Sequence, residues 1–189
     1  MRIVVLPAHR EAYRPGALAL LVATAVILTA LGYQYIGGLE PCDLCFLERY
    51  AYYIAIPVLF LSLVAISGGH PAWAAVGFAL VSLAFLANAG LGAYHAGAEW
   101  GFWPGPTTCS GGLAKLDSPA DLLRGLTTVH VVRCDQASWW FLGVSMAGWN
   151  ALFSAGLWIT SFIAARAAWR AKTATASNYF MYFIRLPDF

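Results

Sequence analysis

Between residues 50 and 98 the chain carries no Asp, Glu, Lys or Arg. Nothing else in the sequence restricts its folding as strongly. A hydrophobic run of roughly 18 or more residues without charge reads as a membrane-crossing helix. Residues 16–39 and 136–165 are equally bare. Of the 189 residues only 11% are charged and 60% are hydrophobic, with a mean hydropathy of +0.67. Soluble domains carry about 25% charged residues. The chain is therefore an integral membrane protein. A net charge of +2 with no basic run argues against nucleic acid as a partner.

Four spans account for the pattern, at about residues 17–36, 46–66, 72–94 and 139–164. "SGGHP" at 67–71 divides the longest uncharged stretch, because adjacent glycines and a proline end a helix. Lipid leaves backbone groups without partners, so every span must be helical. The expected fold class is all-α, a four-transmembrane-helix bundle forming a single membrane domain over residues 1–189.

The cations set the orientation. Arg2, Arg10 and Arg14 precede span one, and Arg166, Arg170, Lys172 and Arg185 follow span four. Seven of the eleven Lys and Arg thus sit on two tails that an even number of spans leaves on one side. The positive-inside rule makes that side cytoplasmic. Loops at about 37–45 and 95–138 then face outward, the first with Glu40 and Asp43 and no cation. A cleaved signal peptide is the other reading of the N-terminal run, but the run is long for that and no small-x-small site closes it. Trp100, Trp103, Trp139 and Trp140 suit headgroup level. In the long loop, "GGLAKLDSPADLLRGL" sets leucines among charges, as in a short amphipathic helix lying on the membrane or on the protein itself.

All four cysteines, Cys42, Cys45, Cys109 and Cys134, fall in the outward loops. Cysteines used as small hydrophobes favour buried positions, whereas an even, one-sided set fits an oxidising compartment. Linking Cys109 to Cys134 would be worth roughly 3.5 kcal/mol in chain entropy, and linking Cys42 to Cys45 roughly 2 kcal/mol before ring strain is subtracted. The C-x-x-C of "PCDLCFLERY" is thus a poor staple, and strained disulfides tend to be the reactive ones. Cys45 opens span two, where free N–H groups and the helix dipole favour an anion. Arg49, one turn further along the same face, is expected to bring its guanidinium to that sulfur. Both effects lower a thiol pKa, and the thiolate is the reactive form. The plainer reading of Arg49 is an arginine that snorkels to the interface. Glu48 opposes the effect from another face and has no assigned role.

A dithiol yields two electrons, and a lipid-soluble quinone accepts two. Arg49 could polarise a quinone oxygen at the membrane edge. His95, closing span three, lies in the same layer, although a lone histidine there is more simply an interfacial hydrogen bonder. Two other classes compete with a redox enzyme. A four-span channel or adaptor with stapled outer loops explains the cysteines but not C-x-x-C beside Arg49. A four-thiolate metal site is disfavoured because Cys109 and Cys134 are too far apart to form a short-spaced ligand pair.

From span one through span four the chain resembles the bacterial disulfide-bond formation protein B (DsbB) family. The likeness rests on "CDLCFLER" opening span two, "YH" closing span three, "GPTTCS", and "CDQASWWFLGVSMAGWN" entering span four. Members are inner-membrane thiol:quinone oxidoreductases that reoxidise the periplasmic thiol oxidase DsbA. The resemblance implies that Cys42 and Cys45 are the membrane-proximal redox pair, with Cys45 facing a ubiquinone or menaquinone. Arg49 and His95 match quinone-associated positions. Cys109 would form the mixed disulfide with a DsbA-like partner, general or dedicated, and Cys134 would be its mate. A transient Cys42–Cys109 bond would carry electrons between the pairs. The implied place is the bacterial inner membrane, with both termini cytoplasmic and the cysteines periplasmic; no metal is implied. The aromatic tail "ASNYFMYFIRLPDF" carries no motif of the family and is too short to span.

Overall fold

A computed structural model describes residues 7–105 and 133–184, with side chains for 9–105 and 133–173. Four helices make up nearly all of this: α1 (Pro7–Tyr35), α2 (Asp43–Ser67), α3 (Pro71–Glu99) and α4 (Met146–Ile184). Each contains a stretch long and apolar enough to cross a membrane, namely His9–Tyr35, Asp43–Ser67, Pro71–Glu99 and Met146–Thr173. The expected all-α, four-span class is the one observed. Leu21, Leu28, Ile54, Phe60, Leu61 and Leu83 point outward, as lipid allows. Ala19, Ala23, Ala55, Ala74, Ala164 and Ala168 lie inside, around Leu59, Phe78, Phe85 and Leu157. Lipid gives apolar side chains little reason to prefer the interior, so close backbone approach through small residues supplies the packing. At Gly92 an added Cβ would stand 3.0 Å from the backbone nitrogen of Ala151, which is how near α3 comes to α4.

Each helix packs on its neighbours in sequence, and α4 closes the ring against α1; the α3–α4 contact is the most extensive, while α2 and α4 barely meet. A buried polar cluster ties three helices together. Tyr52 Oη on α2 donates to Asn150 Oδ1 on α4 at 2.8 Å, and Asn88 Nδ2 on α3 donates to Ser154 Oγ on α4 at 2.9 Å.

Helix ends follow local chemistry. Gly69 (φ +77°) ends the turn after α2, and Pro71 opens α3 where its missing N–H costs nothing. Gly101 (φ +76°) stops α3 in the left-handed conformation, with Phe102 N donating back to Gly97 O at 2.9 Å. Two expected boundaries need correction. Helix α3 runs on to Glu99, so His95 is a helical residue rather than the first of the loop. The fourth span, expected from about residue 139, becomes helical only at Met146. Before it, β1 (Trp140–Phe141) and β2 (Val144–Ser145) pair antiparallel. Leu142 (φ 52°) and Gly143 (φ 77°) form the two-residue turn, with both φ positive as in a type I′ hairpin. Ser145 then caps the helix, its Oγ accepting from Gly148 N at 3.2 Å. The loop helix expected near residues 113–126 lies outside the described residues. The tail is helical as far as Ile184.

Candidate functional site

The ends of α1 and α3 and the beginnings of α2 and α4 meet at one end of the bundle. A cavity there is lined by Tyr33, Gln34, Cys42, Cys45, Arg49, His95, Glu99 and Met146, among others. It holds about 30 Å³ of free space, room for a water molecule or small ion.

Cys42 is the N-cap of α2. Its Sγ takes the place of the usual Ser or Asp oxygen, accepting from Cys45 N at 3.4 Å. Both cysteines are free thiols, and their sulfurs lie 3.1 Å apart, within hydrogen-bonding distance. Cys42 Sγ also faces His95 Nε2 at 3.6 Å. The Cys42 thiol is therefore held well below the ordinary thiol range, to about 4. The hydrogen bond from Cys45 Sγ does most of this, against the opposing effect of burial, and His95 and the Cys45 N–H add to it. The charged sulfur is thus Cys42, not Cys45 as the helix-dipole argument expected. The Cys45 thiol, donating to the Cys42 sulfur, accounts for most of the reversal, and capping geometry adds to it. The free N–H groups of a helix start converge on the cap side chain, while Cys45 is already inside the first turn.

His95 is 1% exposed, and its second nitrogen, Nδ1, lies 2.9 Å from Glu48 Oε1. Glu48 is itself buried. The unassigned acid therefore sits behind the histidine, fixing its ring so that Nε2 is turned to Cys42. Glu99, one turn beyond His95 on α3, places Oε1 3.9 Å from the same Nε2 and lies near Ser145, while its Oε2 is buried with no hydrogen bond of good geometry among the described residues. Arg49 is buried and makes no hydrogen bond to Cys42 or Cys45 among the described residues. Its Nη1 donates to Gln34 Oε1 on α1, and its guanidinium carbon lies 5.5 Å from the centre of the Phe46 ring. An amide oxygen is a far better acceptor than a protonated thiol, so the cation crosses to the neighbouring helix.

Of the residues singled out in the sequence, the structure gathers Cys42, Cys45, Arg49 and His95 around one cavity. Cys134 packs into the same buried cluster as Cys42 and Leu44, and it is disulfide-bonded. Beside it, exposed Arg133 and half-buried Asp135 pair at 2.5 Å. Cys109 lies outside the described residues. Sequence reasoning missed Glu48, Glu99 and Gln34 as site residues. An acid inside an apolar span was the available signal for Glu48, since such groups are costly in lipid unless they have a task.

The family model for disulfide bond formation protein DsbB matches residues 14–164. A disulfide bond formation protein B from Paracidovorax citrulli (strain AAC00-1) is 33% identical over 140 residues, 70% of this chain and 76% of the relative. One from Acidovorax sp. (strain JS42) is 31% identical over the same length, with the same coverage. One from Methylococcus capsulatus (strain ATCC 33009 / NCIMB 11132 / Bath) is 31% identical over 162 residues, 80% of this chain and 91% of the relative. No solved structure matches the chain.

Proposed function

The chain belongs to the DsbB family of disulfide bond formation proteins, and from that premise we propose that it reoxidises a periplasmic DsbA-like thiol oxidase and passes the two electrons to a membrane quinone. The observation that carries this reading is the pair of free thiols at the N-terminus of a membrane span, one of them acidified and backed by a buried His–Glu pair.

Electrons enter through the loop pair. A partner thiolate attacks Cys109 of a Cys109–Cys134 disulfide, and the partner's second thiol releases it, leaving Cys109 and Cys134 reduced. Cys109 then attacks Cys42 of an oxidised Cys42–Cys45 pair and expels the Cys45 sulfur. Cys134 reforms its bond to Cys109 and expels Cys42. An acidic thiol leaves faster, so the arrangement around Cys42 favours this last step. The two sulfurs now hold both electrons, as the free thiols described above.

Reclosing the bond needs a sink for two electrons and two protons, which a quinone supplies. Within the protein, the Cys42 thiolate is placed to take the Cys45 proton across 3.1 Å, with His95 next in line. The donor set fits a quinone oxygen: Arg49 and Gln34 offer a cation and an amide beside the sulfurs. Free space of about 30 Å³ admits only the reacting edge of a ring, so the walls must part for more.

The test is anaerobic mixing of the purified chain with a reduced DsbA-like oxidase and either ubiquinone or menaquinone, followed by quinone absorbance. Turnover is expected with at least one quinone and is lost in Cys45→Ser. No turnover with both, or full turnover in Cys45→Ser, would sink the reading.

A further inference from the structure

The cavity wall carries a donor set that thiol–quinone chemistry does not fully use. Cys42 Sγ, Cys45 Sγ and His95 Nε2 lie mutually within 4.8 Å, with Cys42 to Cys45 at 3.1 Å and Cys42 to His95 at 3.6 Å. Tetrahedral zinc, with Zn–S of about 2.3 Å and Zn–N of about 2.0 Å, spans S···S edges of roughly 3.8 Å and S···N edges of roughly 3.5 Å. The two sulfurs would have to move apart by roughly 0.7 Å, and the third edge, Cys45 Sγ to His95 Nε2, starts within 4.8 Å. Behind the set, Glu48 Oε1 holds His95 Nδ1 at 2.9 Å. Zinc-bound histidines almost always make such a carboxylate contact, which fixes the ring with its other nitrogen toward the ion. Glu99 lines the same cavity, and its Oε2 is a buried wall oxygen with no hydrogen bond of good geometry among the described residues.

We propose that the reduced Cys42–Cys45 pair and His95 form a binding site for a zinc-like divalent cation, with Glu99 completing it directly or through a water. Charge supports this at a low-dielectric location. Two thiolates with the Glu48 and Glu99 carboxylates make the site strongly negative, and the ion with Arg49 offsets three of those charges. The cavity has ion-sized room. The cysteine spacing in the sequence argued against a four-thiolate site. The present set draws instead on α2 and α3 and needs neither Cys109 nor Cys134. Bound metal ties up both sulfurs as thiolates, so they cannot reclose into a disulfide. Metal therefore holds the pair reduced and arrests electron delivery. The site stands whether or not the chain reduces quinones; only the arrest rests on the proposed function.

The experiment is titration of Zn²⁺ into the full-length chain in detergent, using a chromophoric chelator as competitor, with Co²⁺ as the spectroscopic probe. The reduced chain is expected to take up one Zn²⁺, and the chain with Cys42–Cys45 oxidised none. Co²⁺ should give the intense thiolate charge-transfer absorption of a sulfur-ligated tetrahedral site. Glu48→Gln should weaken binding about 10- to 100-fold, as loss of a supporting carboxylate does, and His95→Ala should weaken it at least as much. The double variant Cys109→Ser, Cys134→Ser should keep its Zn²⁺. Equal uptake by the oxidised and reduced wild type overturns the proposal without relying on any variant. So does a Co²⁺ spectrum lacking thiolate bands, or loss of the metal with the loop cysteines. If quinone turnover fails but Zn²⁺ binds as stated, the site stands and the function falls.

Discussion

Cys42 carries the sharpest consequence at the scale of single residues. An ordinary thiol ionises near 8.5, so its alkylation rate climbs about tenfold per pH unit below that value. Cys42 is held at about 4 by its Cys45 hydrogen bond and by His95. A lowered pKa means that the thiolate is fully formed above it and is lost only as pH falls through it. In the reduced chain, iodoacetamide labelling of Cys42, read by peptide mass spectrometry, should be flat from pH 6 to 9. A rate still climbing through pH 8 would mean that cap and histidine do not acidify this sulfur. Glu48 acts on it chiefly by holding His95, and its own charge also lies close enough to repel the thiolate. Glu48→Gln keeps the shape and removes the charge, and should move the labelling midpoint up by at least about one pH unit. A purely structural role for Glu48 would lower stability and leave that midpoint alone. Arg49 is engaged by Gln34 and the Phe46 ring rather than by Cys42 or Cys45. Arg49→Ala should therefore raise the apparent KM for quinone about tenfold with a smaller change in kcat. An unchanged KM would return Arg49 to the interfacial reading.

Close backbone approach decides what each helix tolerates. The α3–α4 contact depends on Gly92, where an added Cβ meets the Ala151 backbone, and backbone has no rotamer to yield. Gly92→Val should cost about 1–3 kcal/mol, seen as an earlier unfolding midpoint in an SDS titration of the detergent-solubilised protein. Stability equal to wild type would mean the two helices can part freely. Because Asn150 and Ser154 on α4 hold Tyr52 and Asn88, such parting also strains the polar cluster joining α2, α3 and α4. The same contact carries His95, Glu99 and Met146 at the cavity. A stability loss at Gly92 should thus be accompanied by a loss of turnover.

The whole molecule has two unlike ends. Arg10, Arg14, Arg166, Arg170 and Lys172 lie on the outer parts of α1 and α4, with Lys172 4.2 Å from the centre of the Trp169 ring. The other end carries the cavity and exposed aromatics, Trp100, Phe102, Trp103, Trp140 and Phe141. If the cationic end is cytoplasmic, green fluorescent protein fused to the C-terminus should fluoresce, and alkaline phosphatase inserted in the loop between α3 and α4 should be active. The opposite pattern would put the cysteines in a reducing compartment and end the redox reading.

The uncharged runs fixed the class of fold, because lipid permits one backbone solution and hydropathy reports it directly. The glycine–proline break between the middle spans was equally local and legible. The start of the fourth helix was not. "FLGVS" is uncharged and mostly apolar, and only the paired positive φ at Leu142 and Gly143 with the Ser145 cap shows that the chain turns before it becomes helical. The candidate site divides in the same way. C-x-x-C at a span boundary marked the dithiol, since spacing and membrane edge are both written along the chain. Which sulfur bears the charge is settled mostly within the first turn of α2, where Cys45 donates to Cys42. That Arg49 turns to Gln34 and that Glu48 stands behind His95 depend on how α1, α2 and α3 meet. Those contacts join residues far apart in sequence, and their energies exist only once the bundle has closed.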